Sequence, residues 1–145
     1  MFELPDSPEL TQPVKVYFFD TDAGGVVHNV AYLRMIEAVR SDLAEHLGWQ
    51  LGDMVSEKSD CPVVYRTEID YLKPARLGDD LVIEAKLVKI ERVRMTFEFR
   101  MLRRPEDEVL VKCRQVLVPM DLVSGRPRPM PPQWAEKWPE LVGSR

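Results

Sequence analysis

The sequence predicts an α+β domain in which an antiparallel sheet wraps around one long helix. One segment repeats its apolar residues at helical spacing, and five other segments alternate apolar with polar residues, as half-buried strands do. A lone helix with a broad apolar stripe must bury that stripe against another element. The economical arrangement is a sheet that curves around the helix.

The helix is predicted to run from about residue 30 to 47. Its apolar positions recur at three- and four-residue steps, as Tyr32, Leu33, Ile36, Val39, Leu43 and Leu47. Asn29 is the predicted N-cap, because its side-chain oxygen can accept from an unpaired backbone N–H. Gly48 is the predicted stop.

Strands are predicted on both sides of this helix. The first is "VKVYFFD", residues 14–20, after a polar lead-in over residues 1–12. Four more follow, in the segments "CPVVYRTEIDYLK", "DLVIEAKLVKIE", "RMTFEFRML" and "VLVKCRQVLVPMDL". The order is therefore β-α-β-β-β-β. Open edges of such a sheet favour edge-to-edge pairing of two chains.

The chain is interpreted as one domain over residues 1–145, with a proline-rich C-terminal tail from about residue 124. The tail, "SGRPRPMPPQWAEKWPELVGSR", cannot continue a sheet. Trp134 and Trp138 lie four residues apart and would gain from burial. They predict a short helix docked on the domain.

Composition limits the function classes. The chain is 45% hydrophobic and 30% charged, which is ordinary for a globular domain and argues against disorder. A net charge of −4 provides no basic footprint for nucleic acid. No apolar run approaches the ~20 residues of a membrane-spanning helix. The acidic N-terminus does not resemble a signal peptide, and Cys61 and Cys113 are predicted to be reduced thiols, so we expect a cytoplasmic protein.

The chemically informative stretch is "DTDAGGVVHN", residues 20–29, just before the helix. A calcium loop is excluded, because counting from Asp20 puts Gly24 and Ala31 at ligand positions. The glycine spacing matches no phosphate loop. A transition-metal site of Asp20, Asp22 and His28 would have a single histidine. Two interpretations remain open: an Asx turn with a cap, or a catalytic carboxylate beside oxyanion donors.

The motif resembles a known family. The pattern "Y-x-x-D-T-D-A-G-G-V-V-x-x-x-x-Y-L-x-x-x-E-x-x-R" is similar to the hotdog-fold acyl-CoA thioesterases of the 4-hydroxybenzoyl-CoA thioesterase type, especially the Tol-Pal-associated branch. The resemblance continues through "YLKPARLGDDLVIEAKL" and "SGRPRPMP", over about residues 14–132. It implies a hotdog fold, a long helix wrapped by a five-stranded antiparallel sheet. It also implies hydrolysis of an acyl-CoA or acyl-carrier-protein thioester without metal or cofactor.

The resemblance also implies roles for individual residues. Asp22 would be the catalytic carboxylate, acting as nucleophile or general base. The backbone N–H of Asn29 would stabilise the oxyanion. The branch usually has Tyr-His where this chain has His28-Asn29. His28 is therefore a candidate for a supporting role, displaced by one position.

The predicted substrate contacts fall into two groups. Those around the motif are Gly24, Gly25, Val27 and Tyr32. Those expected to bind the phosphates of coenzyme A, or an acidic acyl-carrier protein, are Lys89, Arg92 and Arg94, with Arg76 in "KPARLG" as a further candidate.

Two other functions use the same fold. One is a non-catalytic acyl-thioester binding or assembly protein, which would gain nothing from the carboxylate of Asp22. The other is a hotdog dehydratase or hydratase, which needs a histidine paired with an acidic residue across a dimer. For each function we expect a homodimer or homotetramer.

Overall fold

A computed structural model describes residues 3–49 and 60–143. The elements are β1 (Glu9–Val14), α1 (Asn29–His46), β2 (Asp60–Tyr71), β3 (Leu81–Ile90), β4 (Met95–Arg103), β5 (Glu108–Asp121) and a short helix α2 (Pro132–Lys137). All strand pairs are antiparallel, and the sheet order β1-β3-β4-β5-β2 leaves β1 and β2 at the edges. This confirms the predicted α+β architecture.

The first strand lies closer to the N-terminus than predicted. Strand β1 ends at Val14, and Phe18–Asp20 form a 3₁₀ turn, so both the strand over residues 14–20 and the lead-in over residues 1–12 are wrong. Pro13 lies within β1, where its missing N–H is tolerated because β1 pairs only with β3. Phe18, which the alternating pattern predicted to be on the buried face, is 80% exposed. The alternating pattern in the sequence therefore continues past the end of the strand.

Helix α1 has nearly the predicted bounds but a different cap. The cap is His28, whose Nδ1 accepts a hydrogen bond from the Ala31 N–H at 3.2 Å. The prediction of Asn29 as N-cap is therefore wrong, since Asn29 is already the first helical residue. An imidazole nitrogen on an extended backbone replaces the expected amide oxygen. Gly48, with a φ of 105°, follows the last turn and confirms the predicted stop.

The core lies between α1 and the inner face of the sheet. The predicted inward residues of β3 and β4 are at most 2% exposed, namely Leu81, Ile83, Ala85, Leu87, Met95, Phe97, Phe99 and Met101. The apolar stripe of α1 meets them with Ala31, Tyr32, Met35, Ile36, Val39, Leu43 and Ala44. Burial of these apolar surfaces is the main stabilising contribution to the fold.

The tail docks through its tryptophans, as predicted. Trp134 and Trp138 are each 2% exposed. The Trp134 indole N–H donates to the Leu47 carbonyl at 3.2 Å, and the Trp138 indole N–H donates to the Asp6 carbonyl at 3.1 Å. The tail thus closes the C-terminal end of α1. Within the described ranges, no helix combines the length and apolar character that a membrane span requires.

Candidate active site

Residues 20–28 form a tight hairpin that leads directly into α1. Thr21 bridges Val27, and the Asp22 N–H donates to the Val26 carbonyl at 3.0 Å. The Gly25 N–H donates back to the Asp22 carbonyl at 3.0 Å, and Gly25 has a φ of 74°. This is the geometry of a three-residue hairpin loop closed by a glycine bulge. The left-handed conformation explains why glycine stands at this position.

One oxygen of the Asp22 carboxylate is tied to the hairpin and the other is available. Oδ1 accepts from the Gly24 N–H at 2.9 Å and more weakly from the Val26 N–H at 3.4 Å. Oδ2 accepts no hydrogen bond from the part of the chain that the structure describes, and the residue is exposed. The Asx turn and the catalytic carboxylate are therefore compatible, because the turn orients the group that would react.

A free backbone donor lies where the hairpin meets the helix. The His28 N–H donates to the Asp20 carbonyl at 3.0 Å, and the Ala31 N–H is capped by His28. The Asn29 N–H, between them at the first position of α1, has no acceptor among the described residues. The positive end of the helix dipole adds to its attraction for a developing negative charge.

His28 holds the hairpin against the helix. Its Nδ1 accepts from Ala31, and its Nε2 lies 3.3 Å from the Phe19 carbonyl. We assign the ring proton to Nε2, because only that tautomer satisfies both contacts. Both ring nitrogens then form contacts that position the hairpin against the helix. This arrangement fits a positioning role for His28 rather than a direct role in proton transfer.

Asp20 is buried and paired with a residue that the sequence did not reveal. It is 1% exposed, and its Oδ2 accepts from the Tyr17 N–H at 2.8 Å. The Arg34 guanidinium donates to both carboxylate oxygens. The transition-metal alternative required Asp20 as a ligand, and Arg34 already occupies that carboxylate. A buried aspartate demands a cationic partner, which is the signal that could have pointed to Arg34.

A third segment completes the hairpin. The Val27 N–H donates to the Ala75 carbonyl at 2.9 Å, and the Leu77 N–H donates to the Gly25 carbonyl at 2.9 Å. The Ala75 N–H in turn donates to the phenol oxygen of Tyr32 at 2.8 Å. Tyr32 is 4% exposed, so its predicted substrate contact is limited to the floor of the site.

A cleft of about 300 Å³ opens beside the helix start. Its lining residues are Val27, Asn29, Tyr32, Tyr71, Leu72, Lys73 and Pro74. A larger cavity of about 990 Å³ lies at the other end of α1, against Trp49 and Trp134, and includes none of the predicted site residues. The smaller cleft is the one that the free N–H of Asn29 borders.

The basic residues predicted for the carrier lie elsewhere in the same chain. Lys89 is near the end of β3, and Arg92 and Arg94 are both in the turn between β3 and β4. The Asp22 hairpin lies near the beginning of β3. Strand β3 has ten residues and therefore spans about 30 Å. Arg94 instead stacks on the Tyr65 ring of the edge strand β2, at 5.3 Å. One chain alone does not bring these cations to Asp22.

Known proteins resemble this chain over most of its length. The thioesterase-like superfamily matches residues 16–138. The acyl-CoA thioester hydrolase YbgC of Escherichia coli O157:H7 is 30% identical over 119 residues, which are 82% of this chain and 87% of the relative.

Solved structures agree with the fold. A thioesterase from Thermus thermophilus, complexed with coenzyme A and zinc, is 29% identical with a TM-score of 0.75, and the match covers 95% of this chain and 96% of that one. A 1,4-dihydroxy-2-naphthoyl-CoA thioesterase from Synechocystis has a TM-score of 0.79 at 23% identity, covering 92% of this chain and 97% of that one. The second match supports the fold alone.

Proposed function

We propose that this chain, which belongs to the thioesterase-like superfamily, hydrolyses acyl-CoA thioesters with Asp22 as its catalytic carboxylate. The observation that carries the proposal is the Asp22 carboxylate, held by its Oδ1 while its Oδ2 stays available. It lies on the hairpin that leads into the N–H of Asn29, which has no acceptor within residues 3–49 and 60–143. A nucleophile or base beside an oxyanion donor is what acyl transfer requires.

The reaction adds water across the thioester bond. The thioester carbonyl would lie in the cleft with its oxygen towards the Asn29 N–H, which stabilises the negative charge of the tetrahedral intermediate. Asp22 Oδ2 either attacks the carbonyl carbon, forming an anhydride that water then opens, or removes a proton from the attacking water. Each route breaks the C–S bond and releases a free acid and a thiol.

The active unit in this proposal is a homodimer formed along β2. This twelve-residue strand pairs with β5 on one side, and on its other side no strand of the described part of the chain lies beside it. It has three exposed large side chains, Val63, Tyr65 and Tyr71. Antiparallel pairing of two β2 strands about a two-fold axis that passes near Glu68 would place Tyr65 of one chain opposite Tyr71 of its partner. Arg94, stacked on Tyr65, would then approach the partner's cleft together with Arg92 and Lys89.

We propose the cytoplasm as the place of action and either coenzyme A or an acyl-carrier protein as the carrier. Cys61 and Cys113 are both free thiols, which fits a reducing compartment. Both carriers present a phosphopantetheine arm and acidic groups, so the basic side chains would suit either one.

The test is thiol release from a panel of aliphatic and aromatic acyl-CoAs by the wild-type chain. We expect free thiol and free acid in equal amounts from at least one substrate. Tight binding in calorimetry without any thiol release would favour the non-catalytic binding protein. A change in the acyl group by gain or loss of water, with the thioester intact, would identify a hydratase or dehydratase.

A further inference from the structure

Arg76 is a basic residue built directly onto the catalytic hairpin. Its backbone bridges Val26, and hydrogen bonds on either side of that bridge connect Ala75 to Val27 and Leu77 to Gly25. Its own N–H donates to Asp79 Oδ2 at 2.8 Å. The position of Arg76 is therefore fixed relative to the hairpin by main-chain contacts.

The pairing places Arg76 in one row with Asp22. Asp22 lies opposite Val26 across the hairpin, and Val26 lies opposite Arg76 across the next pairing. Directly opposed residues of an antiparallel ladder project from the same face. Two strand spacings separate the backbones of Asp22 and Arg76, a distance of about 10 Å.

The Arg76 guanidinium is uncommitted. The residue is exposed, and among the described residues its side chain forms no hydrogen bond or ion pair. Two charged residues near it along the chain are already engaged. Asp79 accepts from Arg103 at 2.9 Å, and Lys73 donates to Glu108. An exposed cation without an acidic partner, on the face of a catalytic carboxylate, is available to an anionic group of the substrate.

We infer that Arg76 binds the phosphate at the end of the pantetheine arm of the thioester carrier. The inference rests on the proposed function, because it requires the thioester to lie at Asp22. The pantetheine arm separates the thioester from that phosphate. Arg76 is likewise separated from Asp22, so its charge lies away from the reacting atoms and towards the phosphate end of the arm. The predicted cations of the β3–β4 turn would serve the more distant phosphates from the partner chain.

The test compares three thioesters that share one acyl group: acyl-CoA, acyl-phosphopantetheine and acyl-pantetheine. Arg76→Ala is expected to lower kcat/KM by about 10- to 100-fold for the two phosphate-bearing substrates, mainly through KM, because a charge-assisted contact is lost. It leaves acyl-pantetheine unchanged. Arg76→Lys is expected to retain part of the wild-type kcat/KM for these two substrates, because it keeps the positive charge. Arg126→Ala, at another exposed arginine, serves as the matched control.

Three outcomes would overturn the inference. Equal losses on all three substrates would make Arg76 a structural residue of the hairpin. A loss confined to acyl-CoA would assign it to a more distant phosphate, and no loss would remove it from carrier binding. If the wild type hydrolyses no thioester, the proposed function fails separately. Calorimetry with coenzyme A and with pantetheine then decides the role of Arg76. The inference predicts that Arg76→Ala weakens the binding of coenzyme A and leaves the binding of pantetheine unchanged.

Discussion

The Arg34 guanidinium donates three hydrogen bonds to the Asp20 carboxylate, at 2.7, 2.8 and 3.2 Å. Arg34 belongs to the second turn of α1, and Asp20 begins the hairpin that carries Asp22. The pair therefore fixes the hairpin relative to the helix that presents the Asn29 N–H. A contact between two residues outside the proposed reaction thus helps to set the geometry of the site, together with those of His28.

Arg34→Ala should lower both stability and activity. Asp20 would remain buried without its cation, and we expect the free energy of unfolding to fall by about 1–3 kcal/mol. The rate should fall through kcat, because the hairpin loses its fixed position. Urea unfolding and steady-state kinetics measure the two effects. Arg100→Ala, which breaks an exposed pair with Glu84 away from the proposed dimer strand, is the control and should change stability by less than about 1 kcal/mol. Equal behaviour of the two variants would contradict this role for Arg34.

Gly25→Ala should damage the hairpin more than Gly24→Ala. Gly25 has a φ of 74°, where a Cβ is strained by about 1–2 kcal/mol even though the space around it is open. At Gly24 a Cβ would lie 3.5 Å from Asp22 Oδ1, an ordinary contact. Thermal unfolding should show the larger loss for Gly25→Ala. Gly25→Asn, which tolerates the left-handed conformation better, should recover part of that loss. The reverse order would contradict the bulge geometry.

Acid should weaken the ion pairs of Glu108 with Lys73 and Arg103, which hold the segment after β2. Hydrogen bonds from Lys73 and then Arg103 lower the pKa of Glu108 below its ordinary value of 4.5. Since the folded pKa is the lower one, this stabilisation is fully present above about pH 4.5 and is lost as the pH falls through the folded pKa. Glu108→Gln should therefore flatten the dependence of unfolding free energy on pH in that acidic window. An unchanged slope would remove Glu108 from the acid response.

Mixing two impaired variants should restore activity if the partner supplies the basic turn. One variant carries Asp22→Asn, and the other carries Arg92→Ala with Arg94→Ala. A mixed dimer then contains one site with an intact Asp22 and intact partner arginines. Activity after unfolding and refolding the mixture should exceed that of either parent. If the arginines served their own chain's site, no site would be intact and activity would not return.

The sequence predicted the architecture well where periodicity reports burial. The alternation in β3 and β4 identified residues that are at most 2% exposed, and the helical stripe identified α1. The strand read over residues 14–20 was wrong because alternation alone does not show where pairing stops. Pairing with β3 stops at Val14, and Asp20 then closes a turn on Tyr17, a local contact with no periodic signature.

The local structure around the motif was predicted in part, whereas the roles of its residues remain predictions. The motif indicated a tight turn over Asp22 to Gly25 before a helix that begins near Asn29, since such a turn restricts which residues can stand there. It did not reveal Arg34 or the capping role of His28, because both depend on how the hairpin folds back on the helix. Lys89, Arg92 and Arg94 were preferred over Arg76 because the family resemblance implies basic residues in that region. Such a resemblance carries no information about their distance from Asp22 within one chain.

The most direct measurement of the central claim is thiol release by Asp22→Asn on the best substrate of the wild-type chain. The substitution is nearly isosteric, so circular dichroism should show an unchanged fold, and Asp107→Asn in the β4–β5 turn is the matched control. We predict a loss in kcat of roughly 10²-fold or more for Asp22→Asn and none for the control. Equal rates in wild type and Asp22→Asn would contradict the assignment of Asp22 as the catalytic carboxylate.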